Sequence, residues 1–149
     1  MRDQVALVER LRSVGMRATP QRLAIASELF GNTTHPTVES IHIAISAAMP
    51  ALSLKTVYEA VREFEKLGEV RLFDPGTGSL RVDPHVETDH QHLVCNRCGS
   101  VRDVNMASAE QLVTRHDHNF KIESVDIILR GLCDSCSSTA NNKKRNTNA

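Results

Sequence analysis

Residues 53–68 read SLKTVYEAVREFEKLG. Ser53 can cap a helix start, Leu54, Val57, Val61, Phe64 and Leu67 recur at helical spacing, and Lys55, Glu59, Arg62, Glu63 and Lys66 take the opposite face until Gly68 stops the run. The pattern predicts one amphipathic helix with an apolar face for a core and a charged face for something else. Working backwards, Thr37 caps a third helix whose stripe is Val38, Ile41, Ile45 and Ala48, and Pro50 bars its continuation. Thr19-Pro20 opens a second helix, with Leu23, Ala26 and Phe30 in period before Gly31-Asn32, and residues 3–14 form a first with Leu7, Val8, Leu11 and Val14 on one face before Gly15. Working forwards, residues 69–73 and 79–82 alternate around the turn 74–78, DPGTG, and predict a β-hairpin.

Short helices closed by a two-stranded ribbon give the order of a winged helix-turn-helix, with helix 53–67 as the one that enters a major groove. Composition limits the partner. Lys and Arg number 18 and Asp and Glu 18, so bulk positive charge cannot coat nucleic acid and any contact with DNA must be local and shaped. With aromatic residues at only 3%, no Trp and one Tyr, a base-stacking surface for single strands is not expected, and double-stranded DNA stays open. No segment approaches the roughly 20 apolar residues that cross a bilayer, and the N-terminus has no apolar signal core, so no membrane partner and a cytoplasmic location are expected.

The 149 residues suit two small domains. Residues 1–82 form the winged-helix domain, the polar stretch 83–89 with Pro84 a hinge, 90–136 a second α+β domain, and 137–149 a disordered tail with almost nothing apolar. In the second domain, residues 91–95 and 100–104 read as strands, about 106–117 as a short helix, and Lys121 to Arg130 as a longer strand. The fold class is therefore α+β.

That second domain carries Cys95-Asn-Arg-Cys98 and Cys133-Asp-Ser-Cys136, two pairs with 34 residues between them. In a reducing compartment such pairs serve metal binding or redox chemistry more than disulfides. A redox dithiol wants its pair at the start of a helix, whereas Cys95 follows the strand-like His92-Leu-Val94, so the four cysteines are read as a structural Zn2+ site.

A different donor set stands beside it. His90 and His92 lie two apart in an extended segment, so both point to one side, and His35, Asp83 and Asp103 are further candidates. Nitrogen and carboxylate ligands without thiolate favour Fe2+ or Mn2+. His42, His85, His116 and His118 read more simply as solvated loop or helix side chains, His85 being the most ambiguous. Ligands drawn from the first domain, the hinge and the second domain would let metal fix the angle between domains. In a symmetric dimer that angle sets the spacing of two reading helices, near about 34 Å or a multiple.

The segments 15–22 (GMRATPQR), 35–37 (HPT), 53–58 (SLKTVY), 89–92 (DHQH) and the two cysteine pairs occur in an order that resembles the ferric uptake regulator family from residue 15 to residue 136. The resemblance implies a homodimeric, metal-dependent transcriptional regulator, not an enzyme, that usually represses from a palindromic operator and dimerises through its second domain. It implies that Tyr58, with its neighbours Lys55, Thr56 and Arg62, faces the major groove, and that Arg17 approaches the minor groove or the backbone. Asp103 after the first cysteine pair, with His35, Asp83, His90 and His92, is similar to the ligand set of the peroxide-sensing PerR branch. That branch implies oxidation of His35 or His90 by Fe2+ and peroxide, loss of metal and release of DNA. The spacing from Asp83 to His90 is one residue longer than in PerR relatives, which leaves His85 and Glu87 as alternatives to Asp83. An additional family site maps onto Asp89, Gln91, Glu110 and Val125; valine cannot ligate, so that site is not expected. Glu59 stands where relatives often have Arg or Asn, so the operator does not transfer.

Two other classes fit less well. His85-Val-Glu87 before a cysteine pair is faintly similar to nucleobase deaminases, but no proline precedes Cys95 and the second pair would have no role. A zinc-stabilised protein-interaction module without DNA contact is the other. Within the family, an iron-responsive or other divalent-metal uptake repressor is the alternative to peroxide sensing.

Overall fold

A computed structural model describes residues 4–106 and 126–138. The chain divides into two compact units, residues 1–88 and 89–149. The first contains α1 (Gln4–Ser13), α2 (Pro20–Leu29), α3 (Val38–Ser46), α4 (Leu54–Lys66), β1 (Arg71–Phe73) and β2 (Arg81–Asp83).

Helices α2, α3 and α4 start where the sequence offers a hydroxyl. Thr19, Thr37 and Ser53 stay extended, and their side chains accept the backbone N–H of Arg22, Ser40 and Thr56. Each cap satisfies an orphan donor and contributes about 1 kcal/mol. The end of α4 is equally specified. Gly68 takes φ 72, its N–H donates to Glu65, and the Glu69 N–H donates to Phe64, the paired reverse bonds that need a left-handed residue after the helix.

The core of this unit joins Leu7 and Leu11 of α1, Ile25, Ala26 and Leu29 of α2, Val38, Ile41 and Ile45 of α3, and Val57, Ala60, Val61 and Phe64 of α4, with Leu52 before α4, Val70 just before β1 and Val82 of β2. Burying each large side chain stabilises by roughly 1.5–3 kcal/mol. Among the expected core residues, Val14, Phe30 and Leu54 lie outside it, at 49%, 52% and 37% exposure. The reason is the same in each case. Val14 and Phe30 follow the last residues of α1 and α2, and Leu54 is the first of α4, so none is on a completed helical face. Ile25 and Leu29 carry the burial expected of Leu23 and Phe30, and Ala48, also expected in a stripe, is exposed beyond the end of α3.

Strands β1 and β2 pair antiparallel, with Arg71 opposite Asp83, Leu72 opposite Val82 and Phe73 opposite Arg81. Asp83, expected to begin the hinge, is thus the last residue of β2. Among the described residues no helix is long and apolar enough to cross a membrane.

The second unit contains β3 (Gln91–Cys95), β4 (Val101–Val104) and β5 (Ile128–Gly131) in the order β4-β3-β5. β3 runs antiparallel to β4 and parallel to β5. Residues 134–138 form a helical turn, which takes in the first two residues of the expected tail. Residues 107–117 of the expected short helix, 121–125 of the strand expected from Lys121 and the tail beyond 138 lie outside the described residues; of the described part, Met106 is not helical and β5 begins only at Ile128, later than expected.

Candidate metal centres and nucleic-acid interface

Parallel pairing sets Cys95 opposite Gly131, so the loops that follow β3 and β5 leave the sheet at the same end. The Asn96 N–H donates to the Gly131 carbonyl at 2.8 Å and Arg97 Nη1 donates to the Cys136 carbonyl at 3.0 Å, which ties the two loops together. Four sulfurs result, from Cys95, Cys98, Cys133 and Cys136, all within 4.8 Å of one another and none in a disulfide. A tetrahedral zinc ion with bonds of about 2.3 Å separates its sulfurs by about 3.8 Å. The Cys98 and Cys133 sulfurs are 3.7 Å apart.

Local hydrogen bonding distributes charge unevenly over this cluster. The Cys133 backbone N–H, donating to the Cys95 sulfur, leads a set of amide donors that lower the Cys95 thiol to about 6. The Ser135 hydroxyl leads the groups that lower Cys133. Cys136 is pushed up to about 12, first by its hydrogen bond to Cys133 and then by burial. The cluster thus sets donors drawn toward the thiolate beside one pushed away from it, and a divalent cation is what would let all four ionise together. The donor set fits zinc.

On the same unit, the β3–β4 register sets His92 opposite Asp103. His90 precedes it by two residues and shares its side. His90 Nε2 and His92 Nε2 lie 3.5 and 3.9 Å from Asp103 Oδ1, and the two imidazole centroids are 4.9 Å apart. These separations suit donors around one first-row divalent ion, whose bonds of about 2.1 Å put neighbouring ligands about 3–4 Å apart. With two imidazoles, one carboxylate and no thiolate, the set fits Fe2+ or Mn2+ better than a soft metal. The adjacent Gln91, one of the positions of the additional family site, uses its Oε1 to accept the Met106 N–H at 2.8 Å.

The remaining two candidates meet on the first unit. The Val82 N–H donates to the Pro36 carbonyl at 2.9 Å, Thr37 bridges to Arg81, and Arg81 Nη1 donates to the His35 carbonyl at 3.2 Å. The segment 35–37 is thereby sewn to the edge of β2. That brings His35 Nε2 to 3.7 Å from Asp83 Oδ1, with both side chains fully buried. His35 is the one described non-glycine residue with positive φ, at 51°. Holding a residue with a Cβ there costs on the order of 1–3 kcal/mol, a strain that clusters at functional positions. Of the alternatives to Asp83, His85 donates its backbone N–H to Asp83 Oδ1 at 2.8 Å and Glu87 is exposed.

The candidate nucleic-acid residues fall into two groups. Arg17, Lys55 and Arg62 are exposed. Lys55 pairs with Glu59 at 3.8 Å on an open helix face, a contact worth little. Thr56 and Tyr58 are half-buried and engaged within the protein. Thr56 Oγ1 is 2.8 Å from the Ser53 hydroxyl, and the Tyr58 hydroxyl donates to Glu39 Oε1 of α3 at 2.6 Å. Nothing in the sequence singles out Glu39, Arg22 or Arg81. Their partners are distant in the chain, so no local pattern marks them.

The profile of the ferric uptake regulator family matches residues 13–130. The chain is 33% identical over 136 residues to the peroxide operon regulator of Bacillus subtilis, covering 90% of this chain and 93% of that one. Among solved structures, it is similar to the Helicobacter pylori ferric uptake regulator Fur, with a TM-score of 0.76 at 21% identity over 91% of this chain and 94% of that one, which bears on the fold alone. It is also similar to a zinc-bound manganese uptake regulator, with a TM-score of 0.68 at 30% identity over 85% of this chain and 98% of that one. The helix-and-ribbon unit, the four-cysteine cluster and a sequence match over most of the length agree, and the chain belongs to the ferric uptake regulator family.

Proposed function

We propose that this chain is a metal-dependent, dimeric transcriptional repressor that binds a palindromic operator in double-stranded DNA and senses peroxide by oxidation of a ligand histidine. The observation that carries the reading is the convergence of His90, His92 and Asp103 on one side of β3 and β4, a donor set without thiolate. The 33% identity to the peroxide operon regulator of Bacillus subtilis supports the same branch.

In this reading the four cysteines hold zinc permanently and supply folding energy to the second unit. His35 and Asp83 join His90, His92 and Asp103 on one exchangeable ion. Charged α4 is the reading helix, with Lys55, Thr56, Tyr58 and Arg62 toward the major groove and Arg17 on the backbone or minor groove. Loading the exchangeable site selects the shape that fits two half-sites, so affinity for DNA follows occupancy. Held by these residues, Fe2+ would lend the electron that splits H2O2 and recover it as one peroxide oxygen replaces a ring hydrogen of a ligand histidine and the other leaves as water. His35 and His90 are the side chains exposed to that oxidant, and either one modified is a poorer ligand.

The test is intact-mass and peptide mass spectrometry after low peroxide, comparing Fe2+-loaded with Mn2+-loaded protein. One added oxygen on the His35 or His90 peptide, with iron only and with loss of operator binding, is expected. Unmodified histidines with intact, metal-dependent operator binding would instead support an iron or manganese uptake repressor, which the likeness to the manganese uptake regulator favours.

A further inference from the structure

Tyr58 lies on α4 between exposed Lys55 and Arg62, and its hydroxyl donates a hydrogen bond to Glu39 Oε1 at 2.6 Å. A phenol has one O–H to donate and lone pairs that accept. With the proton directed into the protein, the face of the oxygen turned to a ligand can only accept. We propose that Glu39, acting through Tyr58, makes α4 select an exocyclic amine in the major groove, cytosine N4 or adenine N6, at one position of each half-site. The inference rests on the reading of α4 as the DNA-reading helix and adds to it the polarity of one contact and the residue that sets it.

Three observations support this assignment. The bond is short and ends on a carboxylate, the stronger class of hydrogen bond. Glu39 is held in place from its own side, since it lies in the first turn of α3, two residues after the Thr37 cap, and its carboxylate also takes hydrogen bonds from its own backbone and from the Thr37 side chain. The electrostatics agree in both directions: the Tyr58 bond leads the effects that lower the Glu39 carboxyl, and Glu39 leads those that raise the Tyr58 phenol, against an opposing pull from Arg62. A phosphate contact would need Tyr58 to donate, toward a group that the Glu39 and Glu59 carboxylates repel. The exocyclic amines are what the major groove offers to an acceptor. Glu39 is thus a positioning residue, and Glu59 presents a second acceptor one residue on.

The chain has one Tyr and no Trp, so Tyr58 can be read directly by ultraviolet absorbance. In the full-length, Zn2+- and Mn2+-loaded protein, the phenol should ionise above its ordinary value of 10.0, and Glu39→Ala should bring it back toward that value. In parallel, wild type, Glu39→Ala and Tyr58→Phe are used to select duplexes from a randomised library. Wild type should prefer cytosine or adenine at one position of each half-site by about tenfold, a preference both variants lose while the other positions and the salt dependence stay unchanged. The double variant should lose no more than either single one. An unshifted wild-type phenol, or the same base preferences in wild type and Tyr58→Phe, overturns the proposal. Selection of no duplex at all by the loaded wild type removes the reading helix itself, and this inference with it.

Discussion

Arg22 grips Glu63 with two nitrogens on one oxygen, Nε at 2.8 Å and Nη2 at 2.7 Å from Oε2, while its Nη1 donates to the Arg17 carbonyl at 2.7 Å. One guanidinium therefore joins the start of α2, the α1–α2 loop and the last turns of α4. Both side chains are partly shielded, at 20% and 33% exposure, which lifts the pair above an open surface ion pair.

Arg22→Ala should lower unfolding stability by about 1–2 kcal/mol, measured by urea denaturation of zinc-loaded protein. Arg22→Lys should recover less than half of that, because an ammonium cannot reach Glu63 and the Arg17 carbonyl as one planar fork. Full recovery by lysine would mean that charge alone matters at this position.

The conformation of His35 separates backbone from ligand effects. Asn tolerates left-handed φ, so His35→Asn should keep the melting temperature within a few degrees and still weaken binding of Mn2+. His35→Val should lose about 1–2 kcal/mol more stability, because a β-branched residue is strained at that φ. Calorimetry with Mn2+ titration checks both, and equal stability of the two variants would contradict the backbone argument.

Replacing Cys95 or Cys133 with Ser should remove zinc, as measured by elemental analysis, and lower stability by several kcal/mol. The signature is selective: α1 to α4 retain their own buried core, so far-ultraviolet helix signal should survive the loss better than the β3–β5 sheet. Full zinc content with an unchanged melting curve in Cys95→Ser would contradict the assignment.

The Glu39–Tyr58 bond also predicts a pH window. Folding lowers the Glu39 carboxyl from its ordinary 4.5, so its stabilisation is present above that value and lost as pH falls through the folded one. Folding raises the Tyr58 phenol from 10.0, so its stabilisation is complete below that value and lost as pH rises through the folded one. The stability difference between wild type and Glu39→Ala should therefore be flat between about pH 5 and 9 and shrink at both ends. A difference that grows on acidification would refute the bond.

These relationships differ in how far the sequence reveals them. Thr19, Thr37 and Ser53 were legible as caps because a cap is a local event, decided within four residues. The two-residue spacing of His90 and His92 was legible for the same reason, and the cysteine pairs announced their own chemistry. Val14 and Phe30 misled because apolar period continues past the point where each helix ends. The place of Asp83 depends on pairing with Arg71, and the orientation of Tyr58 depends on Glu39, 19 residues away. Arg22 and Glu63 are 41 residues apart. Such pairs follow from packing of whole helices, which periodicity does not specify.

The central claim is that His35 from the first unit joins His90 and His92 on one exchangeable ion. Pulsed electron paramagnetic resonance of Mn2+ bound to full-length, zinc-loaded protein counts the imidazole nitrogens on the metal. The account predicts three in wild type and two in His35→Ala; two in wild type, unchanged by His35→Ala, would contradict it.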